Sequence, residues 1–336
     1  MTRLWKQTGP VAVRRGRGLI AGLAIAIVIL ALAVAGCATS PASPASPTSP
    51  PAPPSPTKAA VQPTAAPASL ANSDLLVESD WLAQKLADPS IRIIDARAAN
   101  DYKAGHIKGA VSIPVGDTFL PTGPGGMAGS PEQIADLFGR KGIGNDNRVI
   151  VYDAGNETSA SRILWTLEYY GHNRVSVLNG GFKKWQKENK EISTAEPTLT
   201  TVKLTVKAEP ARNVTLAEMK AALGKPGIVI IDARSPEEYR GEDVRTKRGG
   251  HMPGAVNIDW RTLFTADATF KSVAELTKIY QDQKVTKDKD VYAHCQTGQR
   301  SAVTYLTLRL LGYEKVRNYD GSWQEWGNET DTPIEK

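Results

Sequence analysis

The sequence predicts an α/β protein made of two similar domains, each a parallel sheet flanked by helices. Three observations predict it. At 336 residues the chain exceeds one ordinary domain. From Asp74 onward it reads twice: Ile93-Ile94-Asp95-Ala96-Arg97 returns as Ile230-Ile231-Asp232-Ala233-Arg234, and Gly105 to Val111 returns as Gly250 to Val256. Within each copy, short β-branched runs alternate with helical stretches, the pattern of a parallel sheet covered on both faces.

Residues 1–36 read as an export signal. Arg3, Lys6, Arg14, Arg15 and Arg17 precede an unbroken apolar run from Leu19 to Ala35. That run is longer than most signal cores and slightly short of a membrane span. Val34-Ala35-Gly36-Cys37 resembles a bacterial lipobox, which makes Cys37 the lipidated N-terminus of a mature lipoprotein; an uncleaved anchor and a plain secretory signal are the alternatives. Each places the body outside the cytoplasm, and the lipobox places it in the cell envelope, held to a membrane. Residues 37–70 then form a linker rich in Ala, Pro, Ser and Thr, with ten of the chain's 22 prolines after Cys37. Such a composition makes a semi-rigid spacer and no core.

The first domain covers 74–193. Its apolar runs Ile91 to Ile94, Val149 to Tyr152 and Val175 to Leu178 are expected strands. Ile163, Leu167 and Tyr170 recur at helical spacing and mark a core-facing helix. Residues 194–213, polar and Thr-rich with Pro197 and Pro210, read as a connector. The second domain covers 214–334, with strands at Ile228 to Ile231, Asp290 to Ala293 and Val316 to Tyr319, and a core helix carrying Val303, Leu306 and Leu310. The two repeat offsets differ, 137 residues against 145, so about eight extra residues stand near Gly241 to Gly249. Val175 to Gly181 with Trp185 also returns as Val316 to Ser322 with Trp326.

The net charge of +6 comes almost entirely from the leader; without its five basic residues, 36 basic face 35 acidic ones. Nucleic acid is therefore not an expected partner, and the densest basic run, Arg245 to Arg248, reads as a solvated loop. Four scattered histidines and one cysteine outside the leader offer no metal cluster, and no cofactor is expected. His106 and His251, at equivalent repeat positions beside glycines, read as structural. Asp95 with Arg97 and Asp232 with Arg234 read as ion pairs at strand ends. Gly123 to Gly129 is too interrupted by Pro124 to form a phosphate loop.

Cys295 carries the chemistry. It follows an expected strand, and His294-Cys295-Gln296-Thr297-Gly298-Gln299-Arg300 leads into a helix beginning near Ser301. A cysteine there sits at the carboxyl edge of a parallel sheet, where α/β folds bind ligands. Helix-terminal amides and a nearby guanidinium lower a thiol pKa, and Gly298 permits the tight turn that aims successive N–H groups inward.

The doubled Asp-Ala-Arg, the Gly-His-x-x-Gly-Ala-Val segments, the Cys-x-x-Gly-x-Arg loop and Asn-Gly-Gly-Phe-x-x-Trp together resemble the tandem-domain rhodanese family of sulfurtransferases, over residues 74 to 334. The resemblance implies two rhodanese-like domains, the first without the nucleophile and the second catalytic. It implies that Cys295 takes a sulfane sulfur from thiosulfate, releases sulfite and passes the sulfur from a persulfide to cyanide or another thiophilic acceptor. Gln296, Thr297, Gly298, Gln299 and Arg300 would cradle the persulfide, with Arg300 serving the Cys295 loop. Arg162 of the first domain would reach the donor's anionic group, and Gly155 lies in the region matching Cys295. The expected protein is a monomer.

Gln296 and Thr297 depart from the basic residues common in thiosulfate-using members, and the Cys-Gly-Ser/Thr-Gly loop of mercaptopyruvate-using members is absent. Mercaptopyruvate as donor therefore stays open beside thiosulfate, as does a persulfide carrier or sensor without turnover. A phosphatase loop, His-Cys-x5-Arg, is one residue longer than the Cys-x4-Arg found here and needs a general-acid Asp that does not follow.

Overall fold

The structure, a computed structural model, describes residues 69–336 apart from Pro124. The signal, Cys37 and the spacer up to residue 68 lie outside the described residues. The first half carries β1 (Leu76–Val77), β2 (Ile91–Asp95), β3 (His106–Ile107), β4 (Ala110–Ser112), β5 (Arg148–Tyr152), β6 (Val175–Leu178) and β7 (Ile192–Ser193). The second carries β8 (Asn213–Val214), β9 (Ile228–Asp232), β10 (Val256–Asn257), β11 (Asp290–His294) and β12 (Val316–Tyr319). Each half is a five-stranded parallel sheet: β1-β6-β5-β2-β4 in the first, and the equivalent β8-β12-β11-β9-β10 in the second. The short strands β3 and β7 pair antiparallel beside the first sheet.

The central strands are covered on both faces, so they carry apolar side chains on both. Ile93 points into one apolar cluster and Ile94 into another, and Ile230 and Ile231 repeat that division. The inner cluster is continuous between the halves. It takes Ile94, Val149 and Val151 from the first sheet and Ile231 and Val291 from the second. The helices Thr158–Tyr169 and Gln299–Leu310 pack against each other between them. Sequence periodicity predicts one core face for each helix; the structure buries every residue from Ala160 to Glu168 and from Ser301 to Leu308. Each helix is pressed between its own sheet and its twin, so polar Arg162, Glu168 and Thr304 are buried as well.

The connector lies along the first half. Leu204 enters the inner core, and the Val202, Lys207 and Glu209 N–H groups donate to the carbonyls of Gly139, Tyr170 and Tyr169 at 3.0, 3.1 and 2.7 Å. The extra segment of the second half corrects one expectation. Arg245 and Lys247 are exposed as expected, but Arg248 is half-buried: its guanidinium donates to the carbonyls of Trp326 and Thr332 at 3.0 and 2.8 Å and ties down the segment that follows Trp326.

Candidate active site

Strand β11 delivers Cys295 to the carboxyl edge of the second sheet. An ion pair fixes the end of the neighbouring strand β9, and the first half repeats it. The Arg234 guanidinium grips the Asp232 carboxylate and donates to the Gly250 carbonyl at 2.7 Å, while Arg97 repeats this with Asp95 and the Gly105 carbonyl in the first half. These side chains are scaffold, and they hold the next loop segment to the strand. His106 and His251 are scaffold too, stacked on Tyr102 and Tyr239, with Nδ1 of each 2.9 Å from the backbone carbonyl of the tyrosine it stacks on.

After Cys295 the chain turns in three residues to Gly298, which caps the helix Gln299–Leu310 with φ +76°. A Cβ at Gly298 would come within 2.6 Å of the Arg162 guanidinium and 3.0 Å of the Asp320 carbonyl, so only glycine fits. The turn brings the Ser301 hydroxyl to 3.5 Å from Cys295 Sγ. Burial is the largest influence on the thiol and opposes its ionisation. Against it act the Arg300 charge, the Ser301 hydroxyl and the Ser301 and Thr297 amides; together they hold the thiol below its ordinary value. Arg300 is itself fixed by a bidentate pair with Glu238 at 2.6 and 2.9 Å, on the capped turn Pro236–Tyr239.

The first half, which has no cysteine, holds an equivalent loop. In both sheets the aspartate of the Asp-x-Arg segment pairs with the last residue of the neighbouring central strand: Asp95 with Tyr152, Asp232 with His294. Cys295 therefore corresponds to Asp153, which corrects the alignment that puts Gly155 in this region. The Asp153 carboxylate fills the equivalent cradle. Its Oδ1 accepts from the Gly155, Asn156 and Glu157 N–H groups at 2.8, 3.2 and 3.1 Å, and its Oδ2 from the Ser159 and Ala160 N–H groups at 3.0 and 3.3 Å. Five amides converge on one anion at the nucleophile's position. Gly155 supplies the turn, with φ +118° and the Gly180 carbonyl 2.9 Å from where a Cβ would stand.

Arg162 also differs from its expected role. It is fully buried between the halves, 2.6 Å from the Asp320 carboxylate, and donates to the carbonyls of Gly126 at 2.7 Å and Gly298 at 3.4 Å. Its ring neighbours are Trp165 and Phe119. The guanidinium braces the underside of the Cys295 loop and does not face solvent; Asp320 and the two carbonyls meet its terminal nitrogens, and its buried Nε has no hydrogen-bond partner among the described residues.

What faces solvent is a cleft of about 700 Å³. Gln296, Thr297, Gln299 and Arg300 line it on the Cys295 side, while Cys295 itself is fully buried. The first half contributes Asn156 and Thr158, and the second adds Trp260, Arg261 and Arg245. Sequence reasoning misses these last three. Arg245 stands on the extra segment and Arg261 on a short turn after β10, with no motif to mark either; both are more than half exposed in their side chains, Arg261 paired with Asp259, and Arg245 with Asp243 and, at 3.7 Å, with Glu238. Among the described residues no His, Cys, Asp and Glu side chains cluster as a metal site requires.

Comparison with known proteins agrees with this architecture. The rhodanese-like domain model matches residues 78–188 and again 215–329. A thiosulfate sulfurtransferase of Azotobacter vinelandii is 36% identical over 270 residues, covering 79% of this chain and 98% of its own. A sulfur carrier protein of Thermus thermophilus is 36% identical over 293 residues with the same coverage. Among solved structures, a 3-mercaptopyruvate sulfotransferase of Escherichia coli matches with a TM-score of 0.69 and 33% identity, over 74% of this chain and 98% of that one. The chain belongs to the rhodanese-like family, with two copies of the domain in tandem.

Proposed function

We propose that this chain is a thiosulfate sulfurtransferase whose nucleophile is Cys295. One observation carries the reading: Cys295 stands where the silent half holds a carboxylate in a ring of five amides. A loop of that design stabilises an anion at the nucleophile's position, first the thiolate and then the persulfide.

The Cys295 thiolate attacks the sulfane sulfur of thiosulfate. The new Sγ–S bond forms as the S–S bond of the donor breaks, and its electron pair leaves with sulfite. A nucleophilic acceptor such as cyanide then attacks the outer sulfur, and the Sγ–S bond breaks to return the thiolate. Gln296 to Gln299 supply the cradle, and Arg300 holds the negative charge on sulfur. Arg245 and Arg261, at the cleft mouth, receive the donor's sulfonate in place of Arg162. Mercaptopyruvate is the second reading, favoured by the match to the Escherichia coli sulfotransferase. Steady-state transfer to cyanide from each donor, on the fragment beginning near Ser69, tests this function; turnover with neither donor would overturn it.

We further propose that Cys37 is acylated and holds the protein at the outer side of a membrane through the spacer, as a monomer. One acyl chain anchors only marginally, so stable attachment needs the several chains of a lipoprotein. Metabolic labelling with a fatty-acid analogue should mark the wild type and leave Cys37→Ala unmarked. Equal labelling of both would refute the anchor.

A further inference from the structure

We infer that Ser322 is a positioning residue for the Cys295 nucleophile, acting through the main chain on which the cysteine sits. This inference rests on the assignment of Cys295 as the site of sulfur transfer.

Strands β11 and β12 pair in parallel, with Val291 opposite Val316 and Ala293 opposite Asn318. The Val291 N–H donates to the Lys315 carbonyl at 2.8 Å. Continued at that spacing, the ladder would join the Cys295 N–H to the Tyr319 carbonyl. It does not close there directly. The Ser322 hydroxyl stands between the two groups, accepting from the Cys295 N–H at 3.2 Å and donating to the Tyr319 carbonyl at 2.7 Å. A side chain thus supplies the last rung of the sheet at the residue that carries the sulfur.

The next peptide, on the carbonyl side of the same residue, is held in both halves. The Trp323 and Gln324 N–H groups donate to the carbonyls of Cys295 and Gln296 at 2.9 and 2.8 Å, and Phe182 and Lys183 do the same to Asp153 and Ala154 at 2.8 and 3.3 Å. This pairing makes Gly181 the counterpart of Ser322. Both are left-handed, Gly181 at φ +53° and Ser322 at φ +51°. The backbone there suits glycine, and the silent half has glycine. The half with the nucleophile places a fully buried serine in the same strained conformation. The difference between the halves is a hydroxyl, and the hydroxyl's donor is the nucleophile's own amide.

The consequence is orientation. With the peptide planes on either side of its Cα both tied, one through the Cys295 N–H and the other through the Cys295 carbonyl, the residue is held in place and the loop amides stay aimed at Sγ. Releasing the N–H frees the plane from which that loop starts.

Ser322→Gly removes the hydroxyl and relieves the left-handed strain, so folding is not the expected casualty; Ser322→Ala removes the hydroxyl and keeps the Cβ. Both are predicted to lower kcat for thiosulfate-to-cyanide transfer about tenfold, the order of loss expected when a nucleophile's loop is no longer held in its productive orientation. KM for thiosulfate should stay within about twofold, because the cleft walls are untouched, and the pH midpoint for alkylation of Cys295 should rise. Thermal melting of Ser322→Gly should stay within a few degrees of the wild type, because relief of the left-handed strain offsets the lost hydrogen bonds. Wild-type kcat and alkylation midpoint in Ser322→Gly would overturn the inference, as would an activity loss that only follows a loss of folded protein. A wild type that forms no persulfide on Cys295 would instead overturn the underlying assignment.

Discussion

Replacing Arg162 with alanine separates two accounts of the silent half. If the residue bound the donor, the change would raise KM and spare the fold. The structure predicts the reverse. Arg162 is fully buried, its charge is met by Asp320 at 2.6 Å, and Asp320, itself almost wholly buried, also accepts from the Ala128 N–H at 2.8 Å. Alanine leaves the Asp320 carboxylate buried without its counter-charge and takes a donor from the Gly126 carbonyl, while the Gly298 carbonyl keeps its bond from the Asn318 side-chain amide at 3.1 Å. Breaking a buried pair from one side costs about 3–5 kcal/mol. At roughly 2–4 °C per kcal/mol for a protein of this size, melting should fall by about 10 °C. Calorimetry reads the melting, and urea titration followed by tryptophan fluorescence reads the free energy. Arg162→Met with Asp320→Asn should recover part of the loss, because it removes both charges together. An Arg162→Ala protein with wild-type melting and a tenfold higher KM for thiosulfate would refute the reasoning and return Arg162 to the donor site.

Gly298→Ala should reduce sulfur transfer at least tenfold and destabilise the protein by about 2 kcal/mol, since its Cβ meets Arg162 and Asp320 in a left-handed conformation; kinetics and melting check both. His294 is fully buried, and that burial lowers its pKa to about 4 despite the Asp232 charge. A histidine with a depressed folded pKa contributes stability that is complete above its unfolded value of 6.5 and is lost as pH falls towards 4. Denaturant titrations should therefore show about 2 kcal/mol lost between pH 6.5 and 4.5, and a His294→Phe variant should lack that component of the slope. Asp153→Asn should lower melting by several degrees, because one of the two oxygens that accept from the five loop amides becomes an amide donor, while KM for thiosulfate should change by less than about twofold, since of that loop only Asn156 and Thr158 reach the cleft; calorimetry and kinetics check both.

The fold was legible because the physics that makes it is local. Ile91 to Ile94 and Ile228 to Ile231 are apolar on both faces, which only a central parallel strand requires, and the repeat supplied the second domain from the first. Cys295 was legible for the same reason, as a lone thiol in a polar turn between a strand and a helix. The alignment of the silent loop was not, because that loop holds one residue more between the strand and its helix cap, Glu157 against Gly298. Counting along the sequence drifts there, and only the pairing of β5 with β2 and β11 with β9 restores it. Arg162 was placed correctly on its helix and wrongly towards the donor, since its partner Asp320 lies in the other half and no spacing records that contact. Arg245 and Arg261 stayed hidden because a cleft wall built from turns has no period.

The account centres on sulfur bound covalently to Cys295, and intact-protein and peptide mass spectrometry after thiosulfate treatment tests it most directly. The wild type should gain one sulfur atom, about 32 Da, on the peptide containing Cys295, and lose it on adding cyanide. Cys295→Ser should fold normally, gain nothing and transfer no sulfur, because a serine hydroxyl is not ionised near neutral pH. An unmodified wild-type peptide during turnover, or substantial transfer by Cys295→Ser, would contradict the account.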